Sequence, residues 1–375
     1  MATHPSSTEP PAALTPGAAS PVLSRLRGSP PSLWRRVPSL HDASRWRDHA
    51  IGDRMWRVAQ PVTFTPYASA RPCSARCRFC SETLRTHVGG ASADTLRPGV
   101  DYFATLRDAL SQLRGLPLSY SLSGLESTDD PDWFLRMLDT LDTASHEGVP
   151  VDERVLYSNG AGFAHEVGER LIDALSAFGL SWLELSRHHH DETANQRIMR
   201  FRAQEPIAGN HRFEQVARAL ARRLPTRWVC IVQHGGIADA DDVQTHLRWA
   251  ARHGAGTVIF REFSRLGDGY RDTGSRRFIE TNRVSVESLI EACMASPLWS
   301  DLTPTQITEG YYFWNLRLRH SSGMDVVFES SDYTAMHERH ASGDIYKLVF
   351  HANGRLCAGW SPDRDVLWDA GHGRP

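Results

Sequence analysis

The sequence predicts an α/β protein in which a mainly parallel sheet is followed by a smaller β-rich segment. Between residues 61 and 300, short apolar runs alternate six times with segments whose apolar residues recur at spacings of three and four. Successive apolar runs lie roughly 20 to 50 residues apart, which is typical of βα units with parallel strands. After residue 301 the alternation stops, and paired apolar runs flank turn-forming residues instead. We therefore expect six βα units in an open sheet or partial barrel, with a C-terminal β-hairpin appendage.

The six predicted strands are short, rich in branched and aromatic residues, and bounded by Pro, Gly or Ser. The predicted helices show an apolar stripe, and two of them begin with acidic residues that favour a helix N-terminus. The predicted strands span residues 62–65, 118–122, 154–157, 182–185, 227–232 and 257–261. The predicted helices span residues 102–113, 133–141, 163–178, 192–201, 213–224 and 243–251.

The two ends of the chain differ from this pattern. Residues 1–37 are rich in Pro, Ser, Ala and Thr without a continuous apolar run, which predicts a disordered leader. Residues 38–60 predict an N-terminal extension containing one short helix, ahead of the barrel at 61–300. Residues 301–375 predict a β-rich cap of two hairpins, and Asn353-Gly354 is a strong turn signal for the second hairpin.

Composition excludes several classes of function. The net charge of −2 gives no electrostatic basis for binding nucleic acid, and no segment approaches the roughly 20 apolar residues of a membrane span. Six cysteines are too few for a secreted disulfide scaffold. We therefore expect a cytoplasmic protein that has neither a nucleic-acid partner nor a membrane partner.

Three of the six cysteines lie within eight residues, directly after the first predicted strand. Cys73, Cys77 and Cys80 can hold three corners of an iron–sulfur cluster from one compact loop, because thiolates are the usual ligands of such clusters. Three protein ligands leave one iron with an open position, which implies a bound substrate or cofactor. A structural zinc site is the alternative, although it usually requires a fourth ligand. The remaining cysteines are isolated in the sequence: Cys230, Cys293 and Cys357.

The spacing CxxxCxxC, with the aromatic Phe79 before the last cysteine, resembles the signature of the radical S-adenosylmethionine superfamily. The resemblance extends over residues 60 to 265, where six βα units match the partial six-stranded, TIM-like barrel of that family. It implies one 4Fe-4S cluster and S-adenosyl-L-methionine as cofactors. It also implies an electron donor such as flavodoxin or ferredoxin. The cysteine-rich extension that carries further clusters in large subgroups is not visible in this sequence, so we expect a single cluster.

Three strand ends resemble cofactor-binding segments of the same family. Gly124 and Glu126 match part of a Gly-Gly-Glu-Pro segment that accepts the methionine ammonium, with Ser123 and Ser127 departing from it. An ordinary turn would also explain this segment. Ser158 and Asn159 resemble a Ser-Asn-Gly segment near the ribose or methionine, and Asn-Gly is equally an ordinary turn. At the fourth strand end, Ser186 and Arg187 are predicted to meet the cofactor ribose and carboxylate.

Substrate-side residues can be predicted only from their position at strand ends and in the cap. Strand C-termini gather ligands in parallel α/β folds. We expect one residue of the His188-His189-His190 run to face the active site, and no second metal, because consecutive side chains diverge. The substrate-side candidates are His190, Gln233, Arg261, Glu262 and Lys347.

These features predict an enzyme that abstracts hydrogen from a small polar substrate, such as a sugar, aminocyclitol or nucleoside, in specialised metabolism. Modification of a ribosomally made peptide is the first alternative. A non-catalytic zinc-binding protein is the second. The chemistry of the substrate radical after hydrogen abstraction is not encoded in any residue type, so the net reaction stays open.

Overall fold

The structure, a computed structural model, describes residues 20–26, 34–36, 43–80, 84, 96–267, 270 and 272–372. Its strands, in chain order, are β1 (Trp34–Arg36), β2 (Trp46–Ile51), β3 (Arg54–Tyr67), β4 (Leu118–Leu122), β5 (Val151–Ser158), β6 (Trp182–Ser186), β7 (Thr226–Ile231), β8 (Thr257–Arg261), β9 (Leu302–Glu309), β10 (Trp314–His320), β11 (Asp325–Glu329), β12 (Ile345–His351), β13 (Arg355–Cys357) and β14 (Val366–Asp369).

Ten α-helices occur among the described residues. They are α1 (Pro21–Leu26), α2 (Tyr102–Ser111), α3 (Pro131–His146), α4 (Gly168–Ala177), α5 (Glu192–Met199), α6 (Asn210–Ala221), α7 (Ala240–Arg252), α8 (Gly274–Asn282), α9 (Val286–Met294) and α10 (Tyr333–His340). None of the helices in the described part of the chain is long and apolar enough to cross a membrane.

The six predicted strands are confirmed as β3 to β8, which lie side by side in sequence order and are all parallel. The sheet order is β1-β9-β10-β11-β8-β7-β6-β5-β4-β3-β12-β13-β14, and β2 pairs with β3. Because β11 and β12 also pair in parallel with β8 and β3, eight neighbouring strands share one direction. This arrangement brings the carboxyl ends of β3 to β8 to one rim.

The parallel set is curled, although its two edges are not joined by a backbone ladder. A flat sheet would hold β11 and β12 about 34 Å apart at the usual strand spacing of ~4.8 Å. Yet Tyr311, just before β10, packs against Tyr346 of β12 with ring centroids 5.0 Å apart. Since β10 lies beside β11, this contact requires the sheet to curl until its edges meet through side chains. The predicted partial barrel is confirmed in this unclosed form.

Each C-terminal hairpin is present, and each contributes one strand to the parallel set. The antiparallel pairs are β10 with β11 and β12 with β13, as the turn residues predict. The sequence pattern does not reveal the long-range pairing, in which Phe328 of β11 lies opposite Phe260 of β8. The hairpins are therefore continuous with the sheet and extend it on either side of β3 to β8.

The N-terminal part of the described chain contains one short helix and one hairpin. Within the predicted leader, α1 buries Val22 and Leu23 in the main core. In the extension, the expected helix is replaced by the β2–β3 hairpin, preceded by a single 3₁₀ turn at Ala43–Arg45. Gly52, with φ of +59°, allows the tight turn between these strands. Ser20 and strand β1 are also described, and the other leader residues lie outside the described part of the chain.

The two faces of the sheet differ in what they pack against. Alternate residues such as Leu183 and Leu185 of β6 join the main core beneath the helices. The residues between them point to the opposite face, where Val229, Ile259 and Val327 form a separate cluster. We call this second face the interior face, because the curl of the sheet encloses it.

Candidate active site

The cysteine loop follows β3 at the carboxyl rim and is fixed by the end of α5. The N–H of Arg76 donates to the carbonyl of Met199 at 3.0 Å, and the N–H of Arg78 donates to that of Ile198 at 3.2 Å. The Arg202 guanidinium donates to the carbonyls of Pro72 and Cys73 at 2.8 and 2.9 Å. The loop is thus held by backbone groups whose partners lie more than 100 residues away in sequence.

A carboxylate on the other side of the loop completes this support. Asp129 accepts a hydrogen bond from the N–H of Ser74 through Oδ2 at 2.6 Å. The neighbouring Asp130 forms an ion pair of 3.2 Å with Arg71. The loop therefore has fixed backbone contacts on both flanks of Cys73.

None of the three loop cysteines forms a disulfide, and each is partly exposed. Burial raises the pKa of the Cys73 and Cys77 thiols, so each favours its neutral form until a cationic ligand binds. Two nitrogen donors approach the Cys73 sulfur: the N–H of Ala75 at 3.4 Å and Nδ2 of Asn159 at 3.7 Å. Such N–H···S contacts are a normal part of iron–sulfur sites. Three loop thiols with nitrogen donors around one of them fit a 4Fe-4S cluster.

No three Cys, His, Asp or Glu side chains in the described part of the chain are arranged to hold a single metal ion.

Phe79 covers one side of the loop with aromatic contacts. Its ring lies 5.1 Å from His188 in an edge-on arrangement and 5.3 Å from Phe263. These rings shield the loop from water on the side of β6 and β8.

Glu126, after β4, lies almost completely buried and connects the ends of β4 and β5. Its Oε1 accepts hydrogen bonds from the hydroxyls of Thr128 (2.6 Å) and Ser158 (2.8 Å), and its Oε2 accepts one from the N–H of Asn159 (2.5 Å). Burial, followed by the nearby charge of Asp129, raises the pKa of Glu126 to about 7, against the opposing effect of these hydrogen bonds. The carboxylate therefore braces two strand ends, a role that the family resemblance did not indicate.

Gly124 is required by its backbone and its neighbour. It has φ of +109°, and a Cβ at this position would lie 2.8 Å from two ring carbons of Tyr67. No other residue type fits this place without displacing the ring.

Asn159 and Ser158 lie beside the cysteine loop. Besides its contact with Cys73, the Asn159 amide donates to the hydroxyl of Ser74 at 3.0 Å, while its Oδ1 accepts from the N–H of Ala161 at 2.8 Å. The structure therefore brings Cys73, Glu126, Ser158 and Asn159 into one hydrogen-bonded group.

Arg187, which is expected at the cofactor from the sequence, does not lie with this group. Its guanidinium packs over Phe213 at 4.8 Å and donates to the carbonyl of Ala208 and to Oδ1 of Asn210, all beneath the helix layer. Burial lowers its pKa to about 10. Arg187 continues the helix-facing phase of Leu183 and Leu185, whereas Ser186 belongs to the interior face.

His188 is the functional candidate that sequence reasoning did not select. It is buried against Phe79, and its Nδ1 accepts a hydrogen bond from the N–H of Ile231 at 3.0 Å. Burial lowers its pKa to about 3, so the ring is a neutral acceptor. The alternation of β6 puts residues 184, 186 and 188 in one phase, and this signal was available in the sequence.

Two further substrate-side candidates lie away from the interior face. His190 stacks on His189 at 4.3 Å and faces the buried His246 of α7. Glu262 accepts hydrogen bonds from Arg283 at 2.8 Å and from the N–H of Val286, at the start of α9, at 3.1 Å. These contacts hold both residues within the protein itself, and their role on the substrate side stays a prediction.

Gln233 is fully buried beyond the end of β7. Its Nε2 donates to the carbonyl of Ile231 at 3.3 Å, and its Oε1 has no hydrogen-bond partner among the described residues. A Cβ built on Gly236 would lie 3.0 Å from the side chain of Gln233 and 3.1 Å from that of Ile198 in α5, so these two side chains are close together. Gln233 is thus near the segment that supports the cysteine loop.

Arg261 lies on the interior face between two carboxylates. Its guanidinium forms ion pairs with Glu184 at 3.0 Å and with Glu329 of β11. Tyr157 and Tyr312 are electrostatically coupled to these charges, although burial is the main reason for the raised pKa of each phenol. These residues give the interior face a polar surface that carries both positive and negative charges.

Lys347 of β12 lies on the interior face beside β3. Its ammonium contacts the hydroxyl of Thr63 at 3.2 Å and lies 4.4 Å above the ring of Trp360. Strand β12, which pairs with β3, therefore brings a cation to the enclosed face.

No protein-family model and no curated protein matches the chain. Solved structures with a related fold include Streptococcus suis SuiB bound to S-adenosylmethionine, at 12% identity and a TM-score of 0.45, covering 80% of this chain and 61% of SuiB. SuiB bound to precursor peptide SuiA gives 13% identity, a TM-score of 0.45, and coverage of 82% and 64%.

Two others are described as native anSMEcpe with bound AdoMet and Kp18Cys peptide, and as the radical S-adenosylmethionine methyltransferase TsrM from Kitasatospora setae with tryptophan and a SAM analogue. The first shows 14% identity, a TM-score of 0.41 and coverage of 53% of this chain and 50% of the other. The second shows 13% identity, a TM-score of 0.36 and coverage of 53% and 35%. This chain spans less than two thirds of the length of these proteins. Similarity at this level does not assign an activity, which has to come from the residues of the chain itself.

Proposed function

We propose that this protein is a radical S-adenosylmethionine enzyme in which Cys73, Cys77 and Cys80 bind three irons of a 4Fe-4S cluster. The observation that carries the proposal is the cysteine loop itself, fixed at the carboxyl rim of a curled parallel sheet. Nitrogen donors approach its first thiol, and polar groups from neighbouring strand ends surround it. A zinc-binding protein would also use the three thiols, but it would not need the polar groups at the rim of the sheet.

When bound, the cluster and S-adenosyl-L-methionine would supply one-electron cleavage of the sulfonium, giving methionine and a 5′-deoxyadenosyl radical that abstracts hydrogen from substrate. The chain's own residues prepare the site for this chemistry. Gly124 and Ser186 lie at strand ends where the cofactor would bind, while Glu126 positions Ser158 and Asn159. Phe79 and His188 exclude water from one side of the loop. The electron would come from a donor such as flavodoxin or ferredoxin.

The substrate would bind on the interior face, where Arg261, Glu184, Glu329 and Lys347 offer charged hydrogen-bonding groups. A small polar molecule, such as a sugar, aminocyclitol or nucleoside, fits these groups, and so does a polar part of a ribosomal peptide. The peptide class is represented among the complexes named above, in SuiB with SuiA and anSMEcpe with Kp18Cys, and so it comes first in the order of testing.

The test is anaerobic reconstitution with iron and sulfide, followed by metal analysis and incubation with dithionite and S-adenosylmethionine. We expect about four irons per chain, a brown absorbance, and 5′-deoxyadenosine as a product. Cys77→Ala should abolish cluster binding, whereas Cys293→Ala, which changes a buried cysteine outside the loop, should not. Zinc without iron, or a loaded cluster that does not cleave S-adenosylmethionine, would contradict the proposal.

A second assay distinguishes the two substrate classes, peptides and small polar molecules. The reconstituted enzyme is incubated with peptides encoded beside its gene and, separately, with small polar metabolites of the same gene neighbourhood. A mass loss or gain in a peptide, dependent on S-adenosylmethionine, assigns the peptide class. Turnover confined to the small molecules assigns the other class.

A further inference from the structure

The side chain of Asn159 has one defined orientation beside the cysteine loop. Its backbone N–H donates to Oε2 of Glu126 at 2.5 Å, and its Oδ1 accepts from the N–H of Ala161 at 2.8 Å. A rotated amide would set its NH₂ group against the N–H of Ala161 and its oxygen against the sulfur of Cys73, and both contacts would be repulsive. Hydrogen bonding therefore fixes Nδ2 as the atom that faces Cys73.

The donor is close to the sulfur and screened from solvent. Nδ2 lies 3.7 Å from Sγ of Cys73 and 3.0 Å from Oγ of Ser74, and Asn159 is 7% exposed. Low exposure matters because an electrostatic contact is stronger where water is excluded. The N–H of Ala75 is a second donor to the same sulfur, but it belongs to the loop itself.

From this geometry we propose that Asn159 is a positioning residue that raises the reduction potential of the cluster through its hydrogen bond to the Cys73 thiolate. The inference rests on the proposed function, because it requires a cluster on the three cysteines. Reduction adds one electron from a low-potential donor to the cluster, and no proton is transferred. The extra negative charge spreads onto the thiolates, so a fixed N–H donor stabilises the reduced state more than the oxidised state.

The test compares the midpoint potential of the reconstituted cluster in wild type, Asn159→Ala and Ser74→Ala, by redox titration followed by electron paramagnetic resonance. In Asn159→Ala we expect the ratio of reduced to oxidised cluster at a given potential to fall about threefold to tenfold, where tenfold equals 59 mV for one electron. Ser74→Ala is the matched control. It removes the other acceptor of Nδ2 and leaves the contact with sulfur, so its ratio should change less than twofold.

A measurement on the unaltered protein covers the case in which Asn159→Ala fails to hold a cluster. Wild type carrying asparagine labelled with ¹⁵N in the side-chain amide is reduced, and electron–nuclear double resonance is recorded. A ¹⁵N coupling to the cluster supports the proposal, and its absence overturns it. An unchanged or higher midpoint in Asn159→Ala also overturns it. Failure of wild type to bind any cluster would instead contradict the proposed function, so the two failures are distinguishable.

Discussion

Replacing Glu126 with glutamine should change how the stability of the protein depends on pH. Burial and the charge of Asp129 raise the pKa of Glu126 from its ordinary value of 4.5 to about 7 in the folded chain. A carboxyl group whose pKa is raised by folding binds more protons in the folded state between these two values. Its contribution to stability is therefore present at low pH and lost as pH rises through 7.

The size of the effect follows from the two pKa values. Between pH 5 and pH 8, the difference in proton binding integrates to about 2.5 kcal/mol of unfolding free energy. Glutamine carries no titratable proton, keeps a similar shape, and can still hydrogen bond to Thr128 and Ser158. The free energy of unfolding of Glu126→Gln, relative to that of wild type, should therefore rise by about 2.5 kcal/mol from pH 5 to pH 8, whatever the stability of the variant at either pH.

The assay is urea unfolding of the metal-free protein at several pH values, followed by circular dichroism. Only the difference between the two proteins is interpreted, because all other titrating groups are shared. A difference that stays constant from pH 5 to pH 8 would refute the reasoning. So would a difference of opposite sign, which would mean that the hydrogen bonds to Glu126 outweigh its burial.

Three further substitutions test individual parts of the site. Gly124→Ala should lower stability by about 1–3 kcal/mol, measured by thermal unfolding, because φ is +109° and the new Cβ would press on Tyr67; an unchanged melting temperature would contradict this. Arg202→Ala should speed the loss of iron to a chelator several-fold with little change in melting temperature, because the exposed Arg202 side chain donates to two loop carbonyls. Equal rates of iron loss in the variant and in wild type would contradict this prediction. Glu262→Ala should lower the free energy of unfolding in urea by about 3 kcal/mol, because Arg283 loses its buried partner. The folded variant should still cleave S-adenosylmethionine at the normal rate. A loss of cleavage in folded protein would mean that Glu262 belongs to the active site.

The parts of the fold set by local pattern could be predicted from the sequence. The six strands β3 to β8 follow from short apolar runs and their spacing, and both C-terminal hairpins follow from turn residues such as Asn353-Gly354. The parallel pairing of β11 and β12 with β8 and β3 could not be predicted, because it joins segments far apart in sequence without any local signal.

The site shows the same division. The spacing of the cysteines was sufficient to find the loop, but its anchors on Ile198, Met199 and Arg202 depend on how α5 meets β3 in space. The direction of Arg187 toward the helices could be predicted, because Leu183 and Leu185 define the helix-facing phase of β6. The bracing role of Glu126 was not visible, since Ser158 and Asn159 come from a different strand.

The central claim is that Cys73, Cys77 and Cys80 hold a cluster that cleaves S-adenosylmethionine by one-electron reduction. The most direct measurement is the amount of 5′-deoxyadenosine formed by anaerobically reconstituted protein with dithionite, in wild type and in Cys80→Ala. We predict 5′-deoxyadenosine from wild type in proportion to its bound iron, and none from Cys80→Ala. Wild type that binds iron fully but forms no 5′-deoxyadenosine, or a Cys80→Ala variant that forms as much as wild type, would contradict the account.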